Sequence, residues 1–357
     1  MSNNLQLVTF GSLNIHDPFF DSLKNDYKEF ERWFTTTASK RQAYVQFNDD
    51  GTLNGLLAMK MEHGVVNDVV PPIKSKNILK ISTFKINPHG TRLGERFIKK
   101  ALDYAIQENA SICYVSMFVK QDTLIRLLEK YGFTNHGNKT TNNGTELILV
   151  KRLSVIVGDI YKDFPLMKIA GNSKYLLSIY PKYHSIMFPD SILKNETIDI
   201  LDDVSHTNSI HKIYVCRMRD VSRLSSGDLV VIYRTADDGR SAEYSSVATS
   251  ICIIDEVKHQ SQFRGFDDFF KYASKYSVFD RDDLFYWYGK QGCYTIKMTY
   301  NAALSRRLTR HKLIEEVGVD REQPYWGFVQ ITDDQFKQIL KDGGVNESLI
   351  IDQARIR

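Results

Sequence analysis

The chain has 357 residues, 42% hydrophobic and 25% charged, with a net charge of +4. These are the proportions of a folded globular protein, the length predicts two domains, and the mild positive balance requires no polyanionic partner. Cys113, Cys216, Cys252 and Cys293 stand far apart without a C-x-x-C pair, which argues against a zinc site or disulfide framework and fits a reducing cytosol; no run approaches the roughly 18 apolar residues of a membrane span, and MSNNLQLVTF has no basic-then-apolar secretory pattern, so the expected location is cytoplasmic.

Leu5 to Leu13 reads as a short opening strand. Asp17-Pro18 then opens a helical region, with Asp17 as N-cap and Pro18 at the first helical position. Phe19, Phe20, Leu23, Tyr27, Phe30 and Phe34 form an apolar stripe beside Trp33, which reads as core. Gln42 to Phe47 and Leu53 to Met61 make a hairpin, with Asp50-Gly51 as its turn. Val65 to Lys76 reads as a Pro-Pro-containing loop. Leu79 to Ile86 is the central strand, with Leu79, Ile81 and Thr83 on one face and Phe84 and Ile86 on the other. Asn87-Pro88-His89-Gly90-Thr91 breaks it, and from Leu93 a helix places Leu93, Phe97, Ala101, Tyr104 and Ala105 on one face. Ser111 to Val119 is a second buried strand, Gln121 to Lys130 a short amphipathic helix ending at Gly132, Asn135 to Gly144 a loop, and Glu146 to Leu153 a last strand.

Strand, glycine-containing turn and helix place unpartnered backbone N–H groups at the positive end of a helix dipole, where a pyrophosphate is favoured. Ile86-Asn87-Pro88, Arg92-Leu93-Gly94-Glu95-Arg96-Phe97-Ile98 and Leu127-Leu128-Glu129-Lys130-Tyr131-Gly132-Phe133 together resemble the GNAT superfamily of acyl-CoA N-acyltransferases, over a domain spanning residues 1–153. The resemblance implies acetyl-CoA as acyl donor, two splayed strands around its pantetheine arm, and its pyrophosphate on the turn made by His89, Gly90, Thr91, Arg92, Leu93, Gly94 and Glu95. A backbone N–H near Phe84 and Ile86 would polarise the thioester carbonyl. Arg92 stands where the family pattern has its first glycine, and Leu128 where the family often has a general-acid tyrosine. Glu62, at the end of the third strand, is the candidate general base, with His63 and Asp68 beside it as alternatives. Its alternative role is a solvated carboxylate at a strand end. Lys80 and Lys85 lie on the central strand and would serve as bases only if burial lowered their pKa values.

Beyond Lys151-Arg152 the character changes to many short strands and few helices, spanning residues 154–357. IHKIYVCR, SSGDLVVIYRT and VATSICIIDEV, with the opening Leu177 to Tyr183, resemble the PUA-like superfamily, particularly ASCH-type domains. The signature of those domains is kept only as Lys194 and Glu196 at altered spacing. The predicted fold class is therefore α+β, a mixed-sheet GNAT-like domain followed by a small PUA-like β-barrel with helices. Resemblance to PUA-like domains implies RNA or modified DNA as partner. Arg306, Arg307, Arg310 and Lys312, read as a helical run, would meet phosphates, and Trp287 among its neighbouring aromatics would stack on bases. The alternatives are a solvated helix face for the basic run and barrel core for the aromatics.

The sequence thus points to an acetyl-CoA-dependent N-acetyltransferase carrying a nucleic-acid-recognition domain, its acceptor an RNA- or tRNA-linked amine or a nucleic-acid-associated protein. Two alternatives stand beside it: a catalytically inactive GNAT-fold binding module, and a reader of modified DNA whose other half acetylates a protein in a phage-defence or toxin setting. Oligomeric state is not legible at this level.

Overall fold

The computed structural model of the protein describes residues 5–87, 92–188 and 209–351. The chain divides into two compact units, Met1–Val155 and Ile156–Arg357. Each is built on one mixed sheet with helices packed against it.

The first unit opens with β1 (Gln6–Thr9), then two short helices, α1 (Asp21–Asp26) and α2 (Phe30–Thr37). Asp17 accepts a hydrogen bond from the Phe19 amide at 2.8 Å, the cap its position predicts, but the turn it caps is a 3-10 turn ahead of α1. The helical region is broken at Tyr27, whose backbone is extended (φ −130°). Phe19, Phe20, Phe30 and Phe34 are buried together with Phe10, as their spacing predicts. Next come β2 (Gln42–Phe47), β3 (Leu53–Val66) and β4 (Ile73–Ile86), then α3 (Leu93–Gln107), β5 (Ile112–Met117), α4 (Asp122–Lys130), β6 (Thr134–Thr141) and β7 (Gly144–Arg152).

Two segments expected to be loops are strand. The Pro-Pro stretch shrinks to a connection between β3 and β4, because both strands extend into it and pair as far as Val66 with Ile73. The polar stretch after Gly132 is β6, an edge strand whose backbone pairs with β7 although its side chains are mostly polar. An edge strand tolerates such a sequence because little of it is buried.

The sheet order is β1-β2-β3-β4-β5-β7-β6. Only the β4–β5 pair is parallel, and α3 is the crossover such a pair requires. The helix packs Phe97, Ala101, Leu102 and Ala105 inward. It approaches β3 at Gly55, where an added β-carbon would lie 2.6 Å from Leu93 Cδ2 and 2.7 Å from Phe97 Cε2.

The second unit contains α5 (Ile160–Asp163), β8 (Lys174–Ile179), α6 (Pro181–Met187), β9 (His211–Cys216), β10 (Leu229–Arg234), α7 (Ala242–Ser245) and β11 (Val247–His259). It continues with α8 (Phe266–Ala273), α9 (Arg281–Gly289), β12 (Tyr294–Thr309), α10 (Arg310–Glu315), β13 (Phe328–Ile331) and α11 (Asp333–Asp342). The order β13-β8-β10-β11-β12-β9 is a six-stranded mixed sheet, parallel only at β8–β10. Among the described residues the ladder runs from β13 to β9 without joining those two strands, so the expected barrel is found as a mixed sheet. Its core gathers Leu177, Ile213, Val230, Ile254, Phe269 and Met298.

The basic run differs most from its predicted form. Ser305 to Thr309 continues β12, and the helix starts only at Arg310, capped by Thr309. The strand wins because residues Val247 and Ala248 of β11 pair with Thr309 and Leu308, and that ladder carries the segment past its helix-favouring arginines. No helix among the described residues is long and apolar enough to cross a membrane.

Gly55→Ala should lower the stability of the first unit by about 1–3 kcal/mol, the usual cost of overpacking, because the new methyl group meets Leu93 and Phe97. Chemical denaturation of the purified protein checks this, and an unchanged midpoint would mean that α3 yields freely.

Candidate functional site

The central feature of the first unit is the end of one strand pairing. β4 pairs with β5 from Ile78↔Ile112 to Ile81↔Val115. Both strands then continue, β4 to Ile86 and β5 to Met117, without further mutual pairing among the described residues. At the same level the β3–β4 register shifts: Ile81 faces Met59 and Thr83 faces Ala58. Ser82 is the extra residue, and its hydroxyl donates to the Ala58 carbonyl at 3.0 Å. Such a bulge bends the strand and breaks alternation. Ile81 and Thr83 therefore lie on opposite faces, where the unbroken period predicts one face.

Past the bulge, Phe84 sets its ring edge-on to Phe97 of α3 at 5.9 Å, and Ile86 lies beside Gly94. Both side chains are half-buried. Arg92 is the residue before α3. Leu93 is buried, and Gly94 is filled by α4: an added β-carbon would run into Leu127. Gly94 thus serves helix–helix packing. Glu95 is buried and ion-paired with Lys130 at 2.8 Å. For an anion, the described part of the turn offers Arg92 and the first N–H groups of α3, which have no intrahelical partners. His89, Gly90 and Thr91 lie outside the described residues.

Glu62 stands on β3 opposite Ile78, three residues before the strands part. Tyr114 donates to its Oε2 at 2.7 Å, and Lys60 Nζ lies 3.2 Å from its Oε1. Burial, then the bond to Glu62, pushes the Tyr114 phenol well above its ordinary range. Lys80, whose ammonium lies 5.5 Å from the Tyr114 ring centre, is lowered by burial and by Lys139, against the pull of Glu62 and Asp68. Asp68 is ion-paired with Lys139 at 2.7 Å. His63 turns elsewhere, with Nδ1 3.2 Å from the Lys76 carbonyl. Lys85 is also lowered by burial and donates to Ser22.

A second carboxylate lies on the same face of the sheet. Glu146 is buried, accepting from Tyr27 Oη at 2.6 Å and Ser116 Oγ at 3.4 Å. Burial first, then Glu146, raises the Tyr27 phenol far above its ordinary range. Around it the α1–α2 corner is fastened down. The Lys28 amide donates to Asn143 Oδ1 at 3.2 Å, Asn143 donates to both Glu29 oxygens at 2.8 Å, and Lys120 pairs with Asp26. Tyr27 packs on Phe118 at 5.4 Å, and Phe118 helps wall a cavity of about 290 Å³ lined also by Asn25, Asp26, Lys120 and Asn143. The sequence carried a signal for Glu146: it is in phase with the core residues Ile148 and Val150 of the last strand. Tyr27 was hidden inside the aromatic stripe.

In the second unit the nucleic-acid candidates separate. Arg306 is exposed and donates to the Lys341 carbonyl at 2.9 Å, and Arg307, the next strand residue, is half-buried on the other face. Arg310 lies on the first turn of α10, its guanidinium 4.1 Å from the centre of the Trp326 ring. Lys312 is exposed and 3.7 Å from Glu316. Trp287 packs against the core of the unit, as the alternative reading has it. Lys194 and Glu196 fall outside the described residues. Beneath the same end of the sheet, the fully buried His184 bonds Thr249 Oγ1 at 2.8 Å through Nε2. Burial, with Arg234 and Arg307 adding positive charge, lowers its pKa to about 3.

His184 yields a pH prediction. Its folded pKa lies below its unfolded value of about 6.5, so the unfolded chain binds the extra proton. The stability that neutral His184 contributes is present above about pH 6.5 and is lost as pH falls towards 3. In that window the wild-type protein should lose about 1.4 kcal/mol per pH unit more than His184→Gln. Parallel acid limbs in denaturation of the two proteins would contradict it.

No protein-family model matches the chain, and no curated protein matches it. Among solved structures, the ASCH protein from Zymomonas mobilis is similar over 47% of this chain and 94% of its own, at 8% identity and a TM-score of 0.32. A putative phosphinothricin N-acetyltransferase is similar over 43% of this chain and 100% of its own, at 16% identity and a TM-score of 0.31. Naa20 from Chaetomium thermophilum, solved with a bisubstrate analogue, is similar over 42% and 86% respectively, at 14% identity and a TM-score of 0.32.

Proposed function

We propose that the first unit transfers an acetyl group from acetyl-CoA to an amine. The observation that carries this reading is the parting of β4 and β5 after Ile81 and Val115, followed directly by the turn into α3. Two strands that diverge leave backbone N–H and C=O groups without sheet partners, and an extended amide-bearing arm is a natural occupant for such a gap. The pyrophosphate at the far end of that arm would meet the turn from His89 to Glu95, where helix N–H groups and Arg92 favour anions. Within the gap a β4 backbone N–H near Phe84 to Ile86 polarises the thioester carbonyl, the amine nitrogen attacks its carbon, the C–S bond breaks, and a carboxylate on the neighbouring face takes the amine proton. Glu62 is the carboxylate the sequence nominates for that step.

Purified protein should bind acetyl-CoA in calorimetry and release thiol when an amine is supplied. Arg92→Glu should weaken binding by about 5–30-fold, equivalent to the ~1–2 kcal/mol of a charge at a helix N-terminus. Binding without thiol release would favour the inactive module, and no binding at all would remove the reading.

For the second unit we propose nucleic-acid recognition, supported by the Arg310–Trp326 stack and the exposed rings of Tyr180 and Tyr325. A guanidinium on an indole supplies positive charge and a stacking surface together. Arg310→Ala should weaken binding to tRNA and to single-stranded RNA and reduce the salt slope by about one. Fluorescence anisotropy across a salt series measures both. Absence of binding at low salt would leave this unit as a protein-interaction module.

A further inference from the structure

Glu95, Glu146, Asp163 and Asp228 are buried among the described residues, and the Asp255 and Asp26 side chains are 5% and 9% exposed. A buried carboxylate must have its charge compensated, and all of these but Glu146 do so in ways that explain their presence, Asp26 through Lys120. Glu95 pairs with Lys130. Asp255 has His211 at 3.4 Å and Lys297 at 3.6 Å, with a bond from Thr299 at 2.7 Å. Asp163 accepts from the Val157 and Gly158 amides at 2.7 and 2.9 Å, and Asp228 from the Ser173 and Ser225 amides at 3.0 and 2.8 Å, each tying down a turn. Glu146 is held by two side-chain hydroxyls, Tyr27 at 2.6 Å and Ser116 at 3.4 Å, and the lysine opposite it on β6, Lys139, is ion-paired with Asp68 instead. Asp26 and Glu29 add further negative charge around Tyr27.

Its position is as particular as its environment. Ser116 is the first β5 residue past the last pair with β4, and its hydroxyl points at Glu146. Glu146 itself is one step beyond the last β5–β7 pair, Met117↔Leu147, and so at the level of Phe118. Glu62, by contrast, is at the level of Ile78 and Ile112, inside the paired region. The two residues differ by six positions in backbone level along β5, Ile112 against Phe118, although the β5 hydroxyls that reach their carboxylates, Tyr114 and Ser116, are only two residues apart. Only Glu146 is at the end where the strands diverge. Glu62 is already neutralised in part by Lys60, and its side chain is 18% exposed.

Resting on the acetyl-transfer reading, we infer that Glu146 is the group that receives the amine proton, and that Tyr27 positions it. A cationic acceptor amine supplies the counter-charge that Glu146 lacks. The ammonium first passes one proton to Glu146 Oε; the nitrogen lone pair so freed attacks the thioester carbon, the C–N bond forms, the C–S bond breaks, and the departing thiolate takes the second proton from the nitrogen. Tyr27 keeps its proton and holds the carboxylate towards the gap. The acceptor enters from the side of the α1–α2 corner, where Phe118 walls the neighbouring cavity.

The test uses the full chain. Acetyl-CoA affinity is measured by calorimetry, and thiol release with glycinamide, spermidine and a lysine-containing peptide as amines. Glu146→Gln keeps both hydroxyl bonds and should stay folded with unchanged acetyl-CoA affinity. Its turnover should fall by about 10²–10⁴, and its residual rate should rise steadily with pH because only free amine still reacts. Tyr27→Phe removes a bond to the charged carboxylate, so the midpoint of the acid limb of its pH–rate profile should move upward, a change that loosened packing would not produce. Glu146→Gln within threefold of wild type overturns the inference, as does the opposite pattern in which Glu62→Gln takes the large loss. Wild type that binds acetyl-CoA but releases thiol with none of the three amines overturns it too. Failure to bind acetyl-CoA would instead remove the reading on which it rests.

Discussion

The first unit depends on a parallel pairing that stops after four residues of each strand, Ile78–Ile81 with Ile112–Val115. Two constraints end it. The crossover through α3 must start at the end of β4, and the bulge at Ser82 bends β4 just before that end. Ser82 bonds across to the Ala58 carbonyl, so the bend is anchored to β3 while β4 turns away from β5. Everything assigned to donor binding follows from this. The gap exists because the ladder stops, and the anion-favouring helix terminus is near because the crossover begins there.

The same constraint sorts the polar groups of the sheet. Below the parting, Glu62 pairs with Lys60 and accepts from Tyr114, whose ring carries the Lys80 ammonium over its face. Above it, Glu146 has hydroxyls only. A network with its own cations is self-sufficient, whereas a desolvated carboxylate without one gains most from a cation arriving from outside. Asp255 in the second unit shows the self-sufficient case. Burial alone would raise its carboxyl, yet the bonds from His211 and Thr299 and the charge of Lys297 hold it below the usual range. Tyr161, which also reaches Asp255 at 3.1 Å, thereby fastens α5 to the sheet.

Much of the first unit was legible in the sequence because its signals were local. The aromatic stripe, the Asp50-Gly51 turn, the strand–turn–helix order and the positive φ at Gly132 each depend on a few neighbouring residues. What was not legible depended on pairing. β6 is polar and Asn-rich, and only its partnership with β7 makes it a strand. The run from Ser305 to Thr309 has the composition of a helix and becomes strand because β11 holds it. The bulge at Ser82 has no sequence mark, so a face assignment made by counting alternate residues fails beyond it. Gly94 illustrates a further limit: its small size was legible, but that Leu127 fills the space required the fold.

Tyr27 shows why the acceptor side was harder to read than the donor side. A tyrosine in phase with buried phenylalanines is indistinguishable by spacing from one more core residue. Its role appears only because the chain breaks there: the helix ends at Asp26, and the extended backbone at Tyr27 leaves the ring at the edge of the Phe20–Phe34 cluster, against Phe118, with its hydroxyl on Glu146. That contact joins residues 119 positions apart. The proposed donor site rests on backbone, and backbone geometry follows from local turn chemistry. The proposed acceptor site rests on side chains converging from the end of α1, β5 and β7, and no window of sequence contains all three.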